Sequence, residues 1–352
     1  MLAGLAAPAS LCAVVKAGAY GHGAVPVAEA ALGSGASWLA VAMVEEGAAL
    51  RDAGIGAPVL LLSEPPAAAM VDVVGMGLTP TVYTHGGVEA AAKAVAATGA
   101  APLPVHLKVD TGMHRVGAPP DEAVGLALAV AERPELVLDG LWTHLAVADE
   151  PDHPFTAEQC ARFGAVVDGL AALRLRPRLT HCCNSAGLLT HPEARRELVR
   201  CGIALYGVPP SPGLADSADV RPALSLRAAV SYVKDVAAGD ALSYGLRYRL
   251  ERRSVVATVP IGYADGVPWR LASAGGQVLL GGRRRPIAGA VTMDQILVDC
   301  GDDASVAPGD EVVLLGAQGP EQIDAWEWAG LAGTIAYEVL CGVGPRVERV
   351  YV

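Results

Sequence analysis

The feature that most constrains this chain is an alternation sustained over its first two hundred residues. Short runs rich in Val, Leu and Ile recur at Leu11–Val15, Trp38–Val41, Val59–Leu62, Thr79–Val82, Val105–Val109, Val137–His144, Leu179–Cys183 and Ile203–Tyr206. Between them lie Ala-rich stretches of helical character, such as 24–32, 44–53, 86–98, 120–132 and 155–173. Short apolar runs separated by helices read as strands buried on both faces. Eight strand-then-helix units predict an α/β fold with a (β/α)8 TIM-type barrel. A doubly wound open sheet is the competing arrangement, because periodicity does not separate the two.

At 352 residues the chain exceeds one comfortable core, which stops growing at about 250–300 residues. The break falls at Pro209-Pro210-Ser211-Pro212-Gly213, a Pro/Gly linker. Beyond it short strands are expected at Ala228–Val236, Val255–Ile261, Gln277–Leu280, Val291–Val298, Glu311–Leu315 and Arg346–Tyr351, with one short helix near 321–331. The expected division is therefore a barrel over 1–212 and a mainly β C-terminal domain over 213–352.

Charge narrows the function classes. The net charge of −11 argues against nucleic acid and against an anionic membrane surface as partners. No uncharged apolar run is long enough for a transmembrane helix. Residues 1–15 are apolar but lack the basic start of a signal peptide. Seven cysteines with no C-x-x-C spacing suggest reduced thiols, and hence a cytoplasmic protein. No paired His/Cys spacing points to zinc and no P-loop is present, so no metal is expected.

Lysine is scarce, with Lys16, Lys93, Lys108 and Lys234 against twenty-two arginines. Lys93 and Lys234 sit in patterns that read as solvated. Lys16 ends the first apolar run and precedes Ala17-Gly18-Ala19-Tyr20-Gly21-His22-Gly23. In a barrel that is the C-terminal end of a strand, where active sites sit. A partly desolvated amine there is a nucleophile toward an aldehyde; a surface lysine at a strand end fits the same position. In Val105-His106-Leu107-Lys108-Val109-Asp110, a period of two puts His106, Lys108 and Asp110 on one face. That face is either polar barrel interior, needing partners, or the wet side of an edge strand. Polar groups also collect at Trp142-Thr143-His144, His181–Gly187 and Arg200–Ile203. A small-residue turn entering a helix, as at Asn184-Ser185, can offer backbone N–H groups to a phosphate.

At Ala13-Val-Val-Lys16-Ala-Gly-Ala-Tyr20-Gly-His-Gly23 the sequence resembles the alanine racemases, pyridoxal-phosphate enzymes of fold type III. Further blocks follow in order: Leu107–Gly117, Trp142–Ala146, Asn184–Ala186, Arg200–Gly207, Ser243–Gly245, Ile261–Gly266, Met293–Gln295 and Thr334–Glu338. The resemblance runs from about residue 11 to the C-terminus and implies a barrel followed by a mainly β domain.

What the resemblance implies for individual residues is as follows. Lys16 resembles the Schiff-base lysine that binds pyridoxal 5'-phosphate and serves as base on the D-face. Tyr244 resembles the L-face base, which in the family comes from the other subunit of a homodimer. Arg200 resembles the arginine facing the pyridine nitrogen, with His144 behind it. Tyr20, Ser185, Gly202, Ile203 and Tyr337 resemble phosphate holders, with Asn184 beside Ser185. Arg115 and Met293 resemble substrate-carboxylate contacts, with Asp294 alongside. Lys108 matches a lysine carbamylated in many members, where it steers the arginine matched by Arg115. The implied activity is interconversion of L-alanine and D-alanine by a Lys/Tyr two-base mechanism, supplying D-alanine for peptidoglycan. A serine or broad-specificity racemase and a cofactor-binding paralogue without turnover are the alternatives. The chemistry is coherent, since a tyrosine with an ordinary pKa near ~10 needs cationic neighbours to act as a base.

Two departures stand out. The lysine motif begins closer to the N-terminus than in family members, whose extra strand and helix help join the domains. The expectation is a first strand with no helix before it and reduced stability. The usual Lys-Ala-Asn/Asp-Ala-Tyr also reads Lys16-Ala-Gly18-Ala-Tyr20, which removes one side chain near the cofactor.

Overall fold

The computed structural model describes residues 1–217 and 219–352. They form two compact units. The first comprises Met1–Ala19, Gly23–Leu205 and Pro209–Val220; the second comprises Tyr20–His22, Tyr206–Val208 and Arg221–Val352.

The first unit carries eight parallel strands: β1 (Ser10–Val14), β2 (Ala36–Val41), β3 (Val59–Leu61), β4 (Thr81–Val82), β5 (Leu103–Lys108), β6 (Leu136–Trp142), β7 (Leu179–His181) and β8 (Leu198–Cys201). They pair in the runs β3-β2-β1-β8 and β4-β5-β6-β7. Two joints close the ring. Leu61 N–H donates to Thr79 O at 2.9 Å just before β4, and Arg200 N–H in β8 donates to Cys183 O at 3.1 Å just after β7. Every strand thus neighbours its sequence neighbours and β8 returns to β1, which is a barrel and rules out the open sheet.

One strand is displaced from its expected place. Ile203–Tyr206 is a 3-10 turn, with Leu205 N–H donating to Gly202 O, and the eighth strand is Leu198–Cys201. The flanking charges Glu197 and Arg200 hide that strand from an apolar pattern, although its side chains are all buried. A second correction concerns the start of the chain. Helix α1 (Leu2–Ala6) precedes β1 and buries Leu2 and Ala6, so the first strand is not without a helix before it.

The other helices of this unit are α2 (Ala24–Gly33), α3 (Val44–Asp52), α4 (Met70–Gly75), α5 (His85–Thr98), α6 (Pro120–Ala131), α7 (Phe155–Ala172) and α8 (Ser185–Thr190). Their ends follow capping rules. The Thr84 hydroxyl accepts from Gly87 N–H at the start of α5, Gly99 ends that helix at φ +67°, and Pro120 opens α6. Ala91 and Val95 of α5, Leu126 and Val130 of α6 and Phe163 and Leu170 of α7 form one apolar layer with Leu103, Val105 and Leu107 of β5. Since those β5 residues face the helices, the period of two turns His106 and Lys108 into the barrel, where both are buried. β5 is paired on both sides, so it is not an edge strand.

The second unit is built from antiparallel pairs: β9 (Leu226–Ala229), β10 (Tyr232–Val236), β11 (Ala241–Leu242), β12 (Tyr248–Arg249), β13 (Ser254–Val259), β14 (Gln277–Leu280), β15 (Arg283–Pro286), β16 (Ile296–Asp299), β17 (Glu311–Gln318) and β18 (Glu321–Ile323). The sheets run β10-β13-β16, β11-β12 and β15-β14-β17-β18, with β9 on β17. Two helices follow, α9 (Ala325–Ala332), capped by the Asp324 carboxylate, and α10 (Ala336–Gly342). The stretch expected as one helix near 321–331 thus starts as a strand.

Arg346–Tyr351, expected as a strand, is irregular. Its Arg349 guanidinium donates to the carbonyls of Gly21, Val343, Gly344 and Val347, and Tyr351 Oη donates to His22 O at 3.0 Å. The segment's order thus comes from one side chain rather than from a ladder. Gly21 suits that approach. Its φ is +83°, and an added Cβ would lie 2.4 Å from Leu340 O.

The barrel interior tests this description. Gly140 in β6 sits against the His106 ring, and an added Cβ would come within 2.4 Å of its Cγ. Gly140→Ala should therefore displace His106 and cost about 1–3 kcal/mol, read as a lower Tm. An unchanged Tm would show that the interior has slack.

Candidate active site

Lys16 follows β1 and is half-buried. The next four residues adopt left-handed backbone, with φ of 53° at Ala17, 60° at Gly18, 55° at Ala19 and 54° at Tyr20. For L-residues other than Gly that region is costly. Fixed bonds hold the turn. Ala17 N–H donates to Glu46 Oε1 at 2.6 Å, Ala19 N–H to Val15 O at 2.9 Å and Gly23 N–H to Gly18 O at 2.7 Å. The other oxygen of Glu46 accepts from Ala42 and Met43 N–H at 2.7 and 3.1 Å. Glu46 thus ties the turn after β1 to the turn after β2. Sequence reasoning missed it, although its place in the first turn of α3 was a signal. Gly18 is explained by conformation: a Cβ there would meet nothing within 4 Å, and its left-handed backbone is one that Gly, Asn and Asp share.

Arg200, from β8, lies in the barrel interior and is 2% exposed. Its Nη1 donates to His181 Nδ1 at 2.6 Å. Its Nη2 donates to Thr143 O at 2.8 Å, to Cys182 O at 3.2 Å and to His144 Nδ1 at 3.2 Å. The Trp142 ring lies under it, 4.5 Å from ring centre to guanidinium carbon, and under Lys108 Nζ at 4.4 Å. Burial lowers the Arg200 pKa to about 10, so it stays charged at neutral pH. His144 is held well below its ordinary value by burial and by Arg200, Arg115, Lys108 and Lys16, and is neutral.

Lys108 titrates low for related reasons. Burial first, then Arg115, Arg200 and Lys16, push its amine down to about 7, against the pull of Asp110. Asp110 itself shapes the loop bearing Arg115, because Oδ1 accepts from Gly112 and His114 N–H at 3.0 Å each. Four cationic side chains therefore converge at the strand ends of the first unit, and Arg115 is the exposed one.

Beside them, Ser185 Oγ accepts from Gly202 N–H at 2.9 Å and from Ala204 N–H at 3.3 Å, which brings together Ser185, Gly202 and Ile203. Asn184 caps α8, its Oδ1 accepting from Gly187 N–H at 2.9 Å. All four are buried or half-buried.

The remaining candidates belong to the second unit. Tyr20 packs on Tyr206 at 4.8 Å between ring centres and on Tyr337 at 6.2 Å. Tyr206, not singled out from sequence, also stacks on His22 at 4.5 Å. Tyr244 lies in a turn opened by Ser243 at φ +61°, whose hydroxyl donates to Ala290 O at 3.0 Å. Tyr244 is 78% exposed and Met293 52%. They line an open cleft of about 1210 Å³ with Asp294, Tyr263 and Trp269. Asp294 pairs with Arg346 at 2.8 Å. All seven cysteines are free thiols. Among the described residues no group of three or more His, Cys, Asp or Glu side chains could hold a metal, and no helix is long and apolar enough to cross a membrane.

Comparison with known proteins places this geometry. Residues 1–210 match the family model for the alanine racemase N-terminal domain, and residues 223–351 match that for the alanine racemase C-terminal domain. The chain is 48% identical over 341 residues to an alanine racemase of Symbiobacterium thermophilum, covering 97% of this chain and 90% of that one. Among solved structures it is similar to the alanine racemase of D-cycloserine-producing Streptomyces lavendulae, with 39% identity and a TM-score of 0.94, covering 100% of this chain and 92% of that one. It is also similar to the Bacillus anthracis alanine racemase with bound L-Ala-P, with 37% identity and a TM-score of 0.91, covering 98% and 90%.

The depressed Lys108 amine gives a pH test. Between pH about 7 and its ordinary 10.5 the unfolded chain binds a proton that the folded one lacks. Stability from this group therefore rises with pH across that window and is lowest below it. In carbonate-free buffer, Lys108→Met removes the penalty. Its Tm relative to the parent should climb as pH falls from 10 to 7 and level off below. A difference independent of pH would show that Lys108 titrates normally.

Proposed function

The chain belongs to the alanine racemase family, and from this we infer that it interconverts L-alanine and D-alanine using pyridoxal 5'-phosphate. The observation that carries the inference is the convergence of Lys16, Lys108, Arg115 and Arg200 at the barrel's strand ends, with Ser185 and the Gly202 and Ala204 N–H groups beside them. Such a donor set fits a group bearing a phosphate and a phenolic oxygen, and a substrate bearing a carboxylate. Lys16 would hold the cofactor. By the family pattern Ser185, Gly202, Ile203, Tyr20 and Tyr337 would hold its phosphate, and Asn184 would support Ser185. When bound, pyridoxal phosphate supplies an electron sink that makes the substrate Cα–H acidic.

The chain's own residues then manage protons. Lys16 takes or returns a proton at one face of Cα, and Tyr244 does so at the other. Arg200, charged and oriented by His181, His144 and the Thr143 carbonyl, would face the ring nitrogen and keep it unprotonated. Arg115 and Met293 would receive the substrate carboxylate, with Asp294 alongside. Tyr244 is exposed, as are Tyr263, Trp269 and Met293, with which it lines the open cleft. That exposure supports a homodimer in which the partner's Tyr244 completes each site. The product D-alanine would feed peptidoglycan in the cytoplasm.

Lys108 adds a modification. An amine with pKa about 7 is substantially neutral at pH 8. It can attack carbon dioxide, forming an N–C bond and releasing a proton, and the resulting carbamate anion would be welcomed by Arg115 and Arg200. Native mass spectrometry in bicarbonate should find the chain heavier by one carbon dioxide, and Lys108→Met should not gain it. Equal gain in both would place the modification elsewhere.

The main test is direct. The purified protein with cofactor should racemise alanine and absorb in the visible range. Lys16→Ala should lose both, and borohydride reduction should leave the cofactor's mass on the Lys16 peptide of the parent. Mixing inactive Lys16→Ala with inactive Tyr244→Phe under subunit exchange should recover part of the activity, because one site of a mixed dimer keeps both bases. Exchange without recovery would refute a shared site.

A further inference from the structure

A line of polar side chains runs from Arg200 through the barrel interior to its outer surface. Arg200 Nη1 meets His181 Nδ1 at 2.6 Å. His181 Nε2 meets His106 Nδ1 at 3.0 Å. His106 Nε2 faces Asp139 Oδ2 at 3.6 Å, beyond hydrogen-bond length and within reach of a charge contact. Arg178 clamps Asp139 from outside, Nε to Oδ1 at 2.9 Å and Nη2 to Oδ2 at 2.8 Å. Both imidazoles are fully buried and the Asp139 side chain is 12% exposed, whereas that of Arg178 is 61% exposed.

The protons along this line are determined from one end. Arginine only donates, so His181 Nδ1 must accept. Neutral His181 then carries its proton on Nε2 and donates to His106 Nδ1. His106 in turn carries its proton on Nε2, aimed at the Asp139 carboxylate. No other arrangement of two neutral imidazoles satisfies both hydrogen bonds. The surroundings lock the rings. Trp142 stacks on His181 at 5.6 Å and 5°, Trp38 lies 5.3 Å from His106, and Gly140 leaves the space that the His106 ring fills.

We propose that Asp139 and His106 are positioning residues for Arg200, acting through His181 to fix the direction in which its guanidinium donates. This rests on the reading that Arg200 faces the cofactor's ring nitrogen. The carboxylate at the far end polarises His106 and then His181, which makes His181 Nδ1 a stronger acceptor and anchors Nη1. The other amino group, Nη2, is meanwhile shared among Thr143, Cys182 and His144. Titration agrees with this assignment. Burial holds His106 and His181 below their ordinary values, against Asp139 at His106 and with Arg200 adding to the effect on both. Contact with His106 and the Arg178 clamp pull Asp139 down to about 2. At neutral pH the line therefore has a cation at one end, an anion at the other and two neutral rings between.

The test combines nuclear magnetic resonance with kinetics on the cofactor-loaded protein. Nitrogen-15 shifts of labelled histidine should show both His106 and His181 protonated at Nε2. Asp139→Asn keeps the shape and removes the carboxylate's charge, so the pull on the His106 proton weakens. The nitrogen-15 shift of His181 Nδ1 should then move toward that of a weaker acceptor. Loss of an orienting partner of this kind should lower kcat about tenfold. KM should stay within about twofold, since no substrate contact is removed. Arg178→Ala, at an exposed position that does not threaten folding, releases the carboxylate from its clamp and should give a smaller loss of about threefold through poorer placement of Asp139. Should Asp139→Asn not fold, Arg178→Ala decides alone. Either histidine protonated at Nδ1 in the parent overturns the proposal, as do unchanged kcat and unchanged nitrogen-15 shifts in the variants. A parent that shows the expected tautomers but does not racemise alanine would instead refute the functional reading.

Discussion

The structure depends on how the barrel accommodates one buried guanidinium. A fully interior charge without a carboxylate against it is expensive. Here Arg200 meets carbonyls of Thr143, His181 and Cys182 and two neutral imidazoles, contributed by residues at the ends of β6 and β7. That arrangement fixes much else. It requires His144 and His181 to stay neutral. It places Trp142 under the cation. The Arg200 charge adds to burial and to Arg115 in bringing the Lys108 amine down to about 7. The usual apolar layers of a barrel interior are replaced at this level by a polar assembly whose hydrogen bonds fit one protonation pattern.

The two units solve different problems. The first holds rigid, buried, neutral-or-cationic groups on strand ends, the placement that gives the least positional error. The second presents Tyr244 on a turn with positive φ at Ser243, Gly245 and Leu246, open to solvent and ringed by apolar side chains. Such a turn persists only where its surroundings hold it, and here the Ser243 hydroxyl is tied to the Ala290 carbonyl.

Much of this was legible in the sequence where local chemistry decides. The barrel strands follow from apolar runs, and β14 matches its sequence reading residue for residue. The polar face of His106 and Lys108 was visible from a period of two. β8 was misplaced because Glu197 and Arg200 interrupt its apolar pattern, and Arg346–Tyr351 because the valines and tyrosine that suggest a strand are held by Arg349 instead. Lys16, Arg200, Ser185 and Tyr244 stand out through short motifs. Trp142 and His181 lie in stretches that stand out but whose roles do not show there, and Asp139 and Glu46 do not stand out, since these roles arise from register between strands remote in sequence. Asp139 reads locally as a surface acid, and only β5 and β7 on either side of β6 make it the end of a line. Gly18 looked like a lost side chain, and the backbone shows it to be one of the few residues at ease there.

The left-handed turn after Lys16 also implies an order in time. Ala17, Ala19 and Tyr20 each give up about 1–2 kcal/mol to stand in that conformation, more than the turn's two local hydrogen bonds return. Its external anchor is the Glu46 carboxylate, twenty-nine residues later in the chain, which must first be docked by β2 and α3. A nascent chain emerging from a ribosome therefore carries Lys16 as an ordinary mobile amine until the second strand and its helix have assembled. The geometry that makes this lysine special arises late.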